Sequence, residues 1–197
     1  MAEAALAAAP PDTVALQLRE KDLEGGKLVE LARELRVICD RHRARLLVND
    51  RLDVAIASRA DGVHLPANSF AVADARALIG HDRLVGVSTH EPAEVIAASR
   101  AGADFVVYGP VFDPISKGAY ATARGADGLI AACDAASIPV FALGGISATR
   151  VREMRAQIAI AKAQKALARP AGVAVIGAIF VSPDPADAMR DLIDALA

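Results

Sequence analysis

Apolar residues fall into two alternating patterns along this chain. Short, nearly continuous apolar runs recur at residues 13–18, 45–48, 62–65, 84–87, 105–108, 140–143 and 172–176. Such runs are expected of parallel strands buried on both faces. Between them lie stretches in which apolar positions return every three or four residues: 26–42, 51–58, 71–79, 91–101, 126–136, 148–168 and 185–196. In the first of these, Leu28, Leu31, Ala32, Leu35 and Ile38 make one stripe of a helix. The apolar start, residues 1–9, reads as a helix end stopped by Pro10 and Pro11. Strand and helix alternating in this way predict βα units and a parallel sheet.

Two architectures answer to that pattern: an open doubly wound sheet and a closed (β/α)8 TIM barrel. No Gly-x-Gly-x-x-Gly follows the first strand, which disfavours a dinucleotide site. Polar residues or glycines instead follow nearly every strand. They are Arg19 and Lys21, then Asn49-Asp50, His64, Ser88 with His90, Gly109-Pro110, Gly144-Gly145 and Gly177. Chemistry gathered at the C-terminal ends of all strands is the signature of a barrel. Seven strands are counted, so one is missing from a full barrel.

Composition narrows the class further. The 197 residues suit one α/β domain spanning 1–197, with 54% hydrophobic and 23% charged residues. A net charge of −2 gives no basic footprint for nucleic acid. Cys39 and Cys133 lie far apart with no metal-type spacing, and read as buried, reduced, cytoplasmic thiols. No apolar run approaches the ~20 residues that span a membrane. Glu3 and the lack of a basic start argue against a signal peptide.

The strand ends carry the candidate chemistry. Arg19 and Lys21 are two apart, so on an extended segment they face the same way. Two cations at a buried strand tip are costly to desolvate unless an anion sits there, and a phosphate or diphosphate is the first reading. A salt bridge to Glu20 or Asp22 is the plainer one. Asp50 offers a carboxylate to Mg²⁺, but on spacing alone it is better read as the cap of the next helix. His64 in Gly-Val-His-Leu reads as a hydrogen-bonded core residue. Ser88 offers a hydroxyl to a phosphate, with capping by Ser88 or Thr89 equally open. The loop from Gly109 to Gly118 carries Ser116 and Lys117 near its end, and Lys117 adds a third cation or is merely solvated. Gly145 and the Ile176-Gly177 pair end the last two strands, where barrels commonly bind phosphate with backbone N–H groups. Two anion poles result, one cationic and one a backbone nest. A monophosphate carries roughly −1.5 to −2 charge, so the cationic pole suits a diphosphate.

Together these segments resemble a known family. Gln17-Leu-Arg-Glu-Lys21, Val48-Asn-Asp-Arg51, Ala60-Asp-Gly-Val-His-Leu65, Gly86-Val-Ser-Thr-His90, Gly109-Pro-Val-Phe112, Ala142-Leu-Gly-Gly-Ile146 and Gly172-Val-Ala-Val-Ile176 look like thiamine phosphate synthase, in order, from about residue 4 to the C-terminus. The resemblance implies a (β/α)8 barrel that joins hydroxymethylpyrimidine diphosphate to thiazole phosphate and releases diphosphate. It implies that Gln17, Leu18, Arg19, Glu20, Lys21, Asn49, Ser88, Ser116 and Lys117 hold the pyrimidine diphosphate. Arg19, Lys21 and Lys117 stabilise the departing diphosphate, Asp50 binds Mg²⁺, and Gly145, Ile176 and Gly177 hold the thiazole phosphate.

The chain departs from the family pattern in four places. Ser69 stands where the family has a second Mg²⁺ carboxylate. Pro114-Ile-Ser116 replaces Thr-x-Thr, so only Ser116 keeps a hydroxyl. The first strand and most of the first helix have no counterpart, and the resulting gap invites instability or a homo-oligomer. Residues 157–169 look like extra helix. Two alternatives follow from the resemblance. Thiazole tautomerase relatives share His64-Leu-Pro and Ser69-Phe70, but their catalytic histidine falls at Pro110. A silent paralogue that binds thiazole phosphate would not need Arg19, Lys21, Asp50 and Lys117.

Overall fold

A computed structural model describes residues 1–113, 122–164 and 168–197. Helix α1 (Ala2–Ala7) comes first. Strands β1 (Ala15–Leu18), β2 (Arg45–Asn49), β3 (Gly62–Leu65), β4 (Leu84–Thr89), β5 (Phe105–Tyr108), β6 (Val140–Leu143) and β7 (Gly172–Ala174) then alternate with helices. The helices are α2 (Gly25–His42), α3 (Leu52–Ser58), α4 (Val72–Ile79), α5 (Pro92–Arg100), α6 (Gly125–Ala135) and α7 (Ala148–Gln164). After β7 come α8 (Gly177–Phe180) and α9 (Pro185–Leu196). The strands form one sheet in the order β1 to β7, and every neighbouring pair is parallel.

The elements agree closely with the periodicity, with three differences. β7 stops at Ala174, because Ile176 already caps the short α8, which the pattern did not foretell. β4 runs on to Thr89, since Ser88 and Thr89 stay in register with Val107 and Tyr108 of β5. The expected extra helix over 157–169 continues α7 as far as Gln164, and residues 165–167 lie outside the described set.

Alternate positions of each strand face different layers. Leu46, Val48, Val63, Leu65, Val85, Val106, Tyr108, Val140 and Ala142 join the main core, packed with Leu28, Ala32, Val54, Ala75, Val95, Leu129 and Val151 of the helices. The other face carries Leu47, His64, Phe105, Val107 and Phe141. There the His64 and Phe105 rings stack at 6.2 Å, and Phe105 meets Phe141 edge-on at 5.7 Å. His64 on β3 thus touches Phe105 on β5 across β4. That contact requires a concave face and an empty position between them. Gly86 supplies it, since a Cβ there would stand 2.1 Å from the Phe105 ring. The sheet is therefore curled, with its helices outside, as in TIM-like α/β folds.

Two matching clamps hold the N-terminal ends of the strands. Asp61 accepts the Leu46 N–H at 2.7 Å and pairs with Arg36; Asp104 accepts the Val85 N–H at 2.6 Å and pairs with Arg76. Burial pushes the Asp61 carboxyl up, but the Leu46 N–H and the Arg36 guanidinium outweigh it and hold it below its usual range. Structural ion pairs thus brace this rim, opposite the one that carries the strand-end residues. Among the described residues β1 and β7 do not pair with each other. Helix α1 packs against α2 and α9, and Glu3 pairs with Arg41.

Candidate active site

Because all the strands are parallel, their C-terminal ends share one rim. The structure brings Gln17, Leu18, Arg19, Glu20, Lys21, Asn49, Asp50, Ser88, Gly145, Ile176 and Gly177 to that rim. Ser116 and Lys117 lie outside the described residues. Leu18 is buried and anchors the tip of β1, whereas Arg19, Glu20 and Lys21 are exposed beyond it. The salt bridge to Glu20 or Asp22 does not form. The Glu20 carboxylate is turned back onto the N–H groups of Lys21 and Asp22, at 2.7 and 3.0 Å. Arg19 and Lys21 make no ion pair among the described residues. Gln17 reaches across to β2, where its amide donates to Asn49 Oδ1 at 3.2 Å.

Asp50 sits in the left-handed region, at φ 65°. Its N–H donates to the His64 carbonyl at 3.0 Å, tying the end of β2 to β3. The reading of Asp50 as a helix cap is overturned. Arg51 occupies the cap position of α3, with no side-chain capping bond, and grips Asp53 with two bonds at 2.9 and 2.6 Å. The turn carries the Asp50 carboxylate away from the helix start, where it accepts the Ser69 hydroxyl. Asp50 and Ser69 are both half-buried.

Capping by Ser88 or Thr89 is likewise not found. Glu91 caps α5 in a reciprocal box with Glu94. Thr89 is buried and donates to the Val107 carbonyl at 3.4 Å. That leaves Ser88 half-buried at the rim, 3.3 Å from His64 Nε2. His64 is 5% exposed, as its core reading implies, yet it belongs to the polar layer just under the rim. Burial, and then the charge of Arg19, push its pKa down to about 4, so the ring is neutral at pH 7. Sequence reasoning missed this role, because an apolar strand context gives no sign that His64 meets Ser88.

On the far side, the loops after β5 and β6 are locked together. Gly144 and Gly145 have φ of 99° and 59°. A Cβ on Gly145 would lie 2.4 Å from the Asp113 carbonyl oxygen and from Arg150 Nη1, so glycine is required there. Arg150 donates to the Gly145 and Asp113 carbonyls at 2.7 and 2.9 Å and lies over the Phe112 ring at 5.3 Å. Arg150 was not foreseen; its one sequence signal is Ser147 three residues before it, whose hydroxyl accepts the Arg150 N–H at 3.3 Å. Ile176 and Gly177 are exposed at the start of α8. Elsewhere, Cys39 and Cys133 are both buried, and burial pushes the Cys39 thiol up to about 11.

A curled parallel sheet with cations, a carboxylate, a hydroxyl and glycine turns on one rim defines a TIM-like α/β protein with a polar strand-end site. The sequence matches the thiamine monophosphate synthase family over residues 1–179. It is 46% identical over 181 residues to a putative thiamine-phosphate synthase of Geobacter sulfurreducens, covering 92% of this chain and 80% of that one. It is 36% identical over 181 residues to the thiamine-phosphate synthase of Chlorobium phaeobacteroides, covering 92% and 82%. The solved thiamine phosphate pyrophosphorylase of Pyrococcus furiosus superposes with a TM-score of 0.82 at 28% identity, covering 98% of this chain and 88% of that one. The chain belongs to the thiamine monophosphate synthase family.

Proposed function

We propose that this chain is a thiamine phosphate synthase, a transferase of thiamine biosynthesis that joins hydroxymethylpyrimidine diphosphate to thiazole phosphate. The observation that carries the reading is the β1 tip. Arg19 and Lys21 stand exposed there without an ion pair among the described residues, on the same rim as Asn49, Asp50 and Ser88. Cations that share a rim with a carboxylate and a hydroxyl suit a polyanion far better than a neutral ligand.

In this reading Gln17 and Asn49 place the pyrimidine diphosphate, and Arg19, Lys21, Ser88, Ser116 and Lys117 hold its phosphates. Gly145, Ile176 and Gly177 hold the thiazole phosphate on the opposite side of the rim. Mg²⁺ fits only together with a phosphate ligand. Asp50 is a rim carboxylate with Ser69 beside it, and no group of three His, Cys, Asp or Glu side chains stands together among the described residues. Mg²⁺ commonly takes one or two carboxylates and fills its shell with water and substrate phosphate. When bound, it offsets negative charge on the leaving diphosphate.

The bond between the pyrimidine methylene and the diphosphate oxygen breaks, and its electron pair leaves with the oxygen. Arg19, Lys21 and Lys117 stabilise that charge. The thiazole nitrogen donates its lone pair to the methylene carbon, giving thiamine phosphate. Positioning and electrostatics carry the rate, and no side chain becomes a nucleophile. The described residues supply strands two to eight of the eight-stranded barrel in this reading. Among the described residues the outer edges of β1 and β7 have no strand partner, which favours a homo-oligomer. A cytoplasmic location agrees with the buried thiols.

Incubation with both substrates and Mg²⁺, followed by detection of thiamine phosphate, tests the proposal. Binding of thiazole phosphate without coupling would replace it with a silent binder. Aromatisation of a thiazole precursor would replace it with a tautomerase.

A further inference from the structure

His64 and Ser88 form a pair that the proposed chemistry leaves half explained. Among the described residues, His64 Nε2 at 3.3 Å is the hydrogen-bond partner of Ser88 Oγ. His64 Nδ1 is buried and meets no partner among the described residues. The ring is fixed in place, stacked on Phe105 and 5% exposed. A neutral imidazole carries one proton, on one of its two nitrogens. With the proton on Nδ1, a buried N–H would stand without an acceptor, and Nε2 would draw the Ser88 proton inward. With the proton on Nε2, only a lone pair goes unfilled, which native structures tolerate better than an orphaned N–H.

We propose that His64 is a positioning residue: its Nε2–H donates to Ser88 Oγ and so turns the Ser88 proton outward, as a fixed donor to the diphosphate at the Arg19–Lys21 pole. This rests on the reading of that pole as a diphosphate site. Ser88 reaches no other acceptor among the described residues, so its proton is available to a ligand. A hydroxyl whose acceptor side is already engaged pays less to order when an anion arrives.

Nitrogen-15 NMR of the intact protein at neutral pH reads the tautomer directly. The proposal requires a protonated Nε2 and a bare Nδ1 in His64; the opposite tautomer overturns it. Calorimetric titration with inorganic diphosphate and Mg²⁺ reads the consequence. Ser88→Ala and His64→Leu are each expected to weaken binding about 10-fold, the effect of one lost charge-assisted hydrogen bond. The double variant should bind no more weakly than Ser88→Ala, because His64 acts through Ser88. His64→Gln, whose amide can still donate, should recover part of the loss. Additive losses, or a Gln variant no better than Leu, would refute the coupling. If His64→Leu does not fold, the tautomer and the Gln variant decide. A wild-type chain that binds no diphosphate overturns both this inference and the reading beneath it. The wrong tautomer with diphosphate binding intact overturns this inference alone.

Discussion

Replacing Gly86 by alanine should test how the barrel interior supports the site. A Cβ at that position would stand 2.1, 2.4 and 2.8 Å from three atoms of the Phe105 ring. Ordinary contact begins near 3.4 Å, so the ring must retreat by about 1 Å. His64 stacks on one side of this half-buried ring at 6.2 Å and Phe141 abuts it at 5.7 Å, so both neighbours resist its retreat. Overpacking of this kind costs about 1–3 kcal/mol. For a chain of this size that lowers the midpoint by roughly 2–4 °C per kcal/mol. The offending atoms are the outer ring atoms of a side chain, so Phe105→Leu in the same protein should recover most of the loss. Gly62→Ala is the contrast. Its Cβ would lie 2.2 Å from the Leu84 carbonyl oxygen, which is backbone and cannot be trimmed. Urea denaturation of the three single variants and the Gly86→Ala/Phe105→Leu double variant gives the coupling free energy. The expected coupling is favourable by about 1 kcal/mol or more. Additive losses would show that Gly86 is not kept empty for the Phe105 ring, and the argument for a concave face would fail.

Other expectations concern the rim. His64 titrates near 4 in the folded chain against 6.5 when unfolded, so below pH 6.5 the unfolded chain takes up its proton first. Stability should be fully present above pH 6.5, fall by up to about 3 kcal/mol on the way to pH 4, and level off below it. A His64→Gln variant should show a correspondingly flatter profile in urea melts at successive pH values, and an unchanged slope would refute the assignment. Ser69→Asp should tighten Mn²⁺ binding in the presence of inorganic diphosphate by about an order of magnitude, read by electron paramagnetic resonance; unchanged affinity would mean that Ser69 does not limit the Asp50 site. Arg19→Ala should lower coupling about 100-fold or more while leaving the melting temperature nearly unchanged, because Arg19 is exposed and makes no ion pair among the described residues. EDTA should abolish coupling in the wild-type chain, and full activity in chelator would remove the metal from the mechanism.

Much of this protein was settled by the sequence alone. Strand and helix periods are local properties, so Val63 and Leu65, or Leu28 and Ala32, declare their buried faces without knowledge of any partner. The rim was legible for the same reason: parallel strands put every C-terminal end on one side, and Arg19, Asn49, Ser88 and Gly145 each follow an apolar run. Capping was less legible, because several polar residues compete within one turn. Arg51 displaced Asp50, and Glu91 displaced Ser88 and Thr89. Contacts between residues distant in sequence were decided only by the tertiary structure. Ser69 on Asp50, His64 on Ser88, Phe105 in the space left by Gly86 and Arg150 across Gly145 and Asp113 join segments 5 to 41 residues apart, or cross an intervening strand. Periodicity fixes which way a side chain points. What it meets depends on strand register and on the curl of the sheet, and these arise only when all seven strands pack at once.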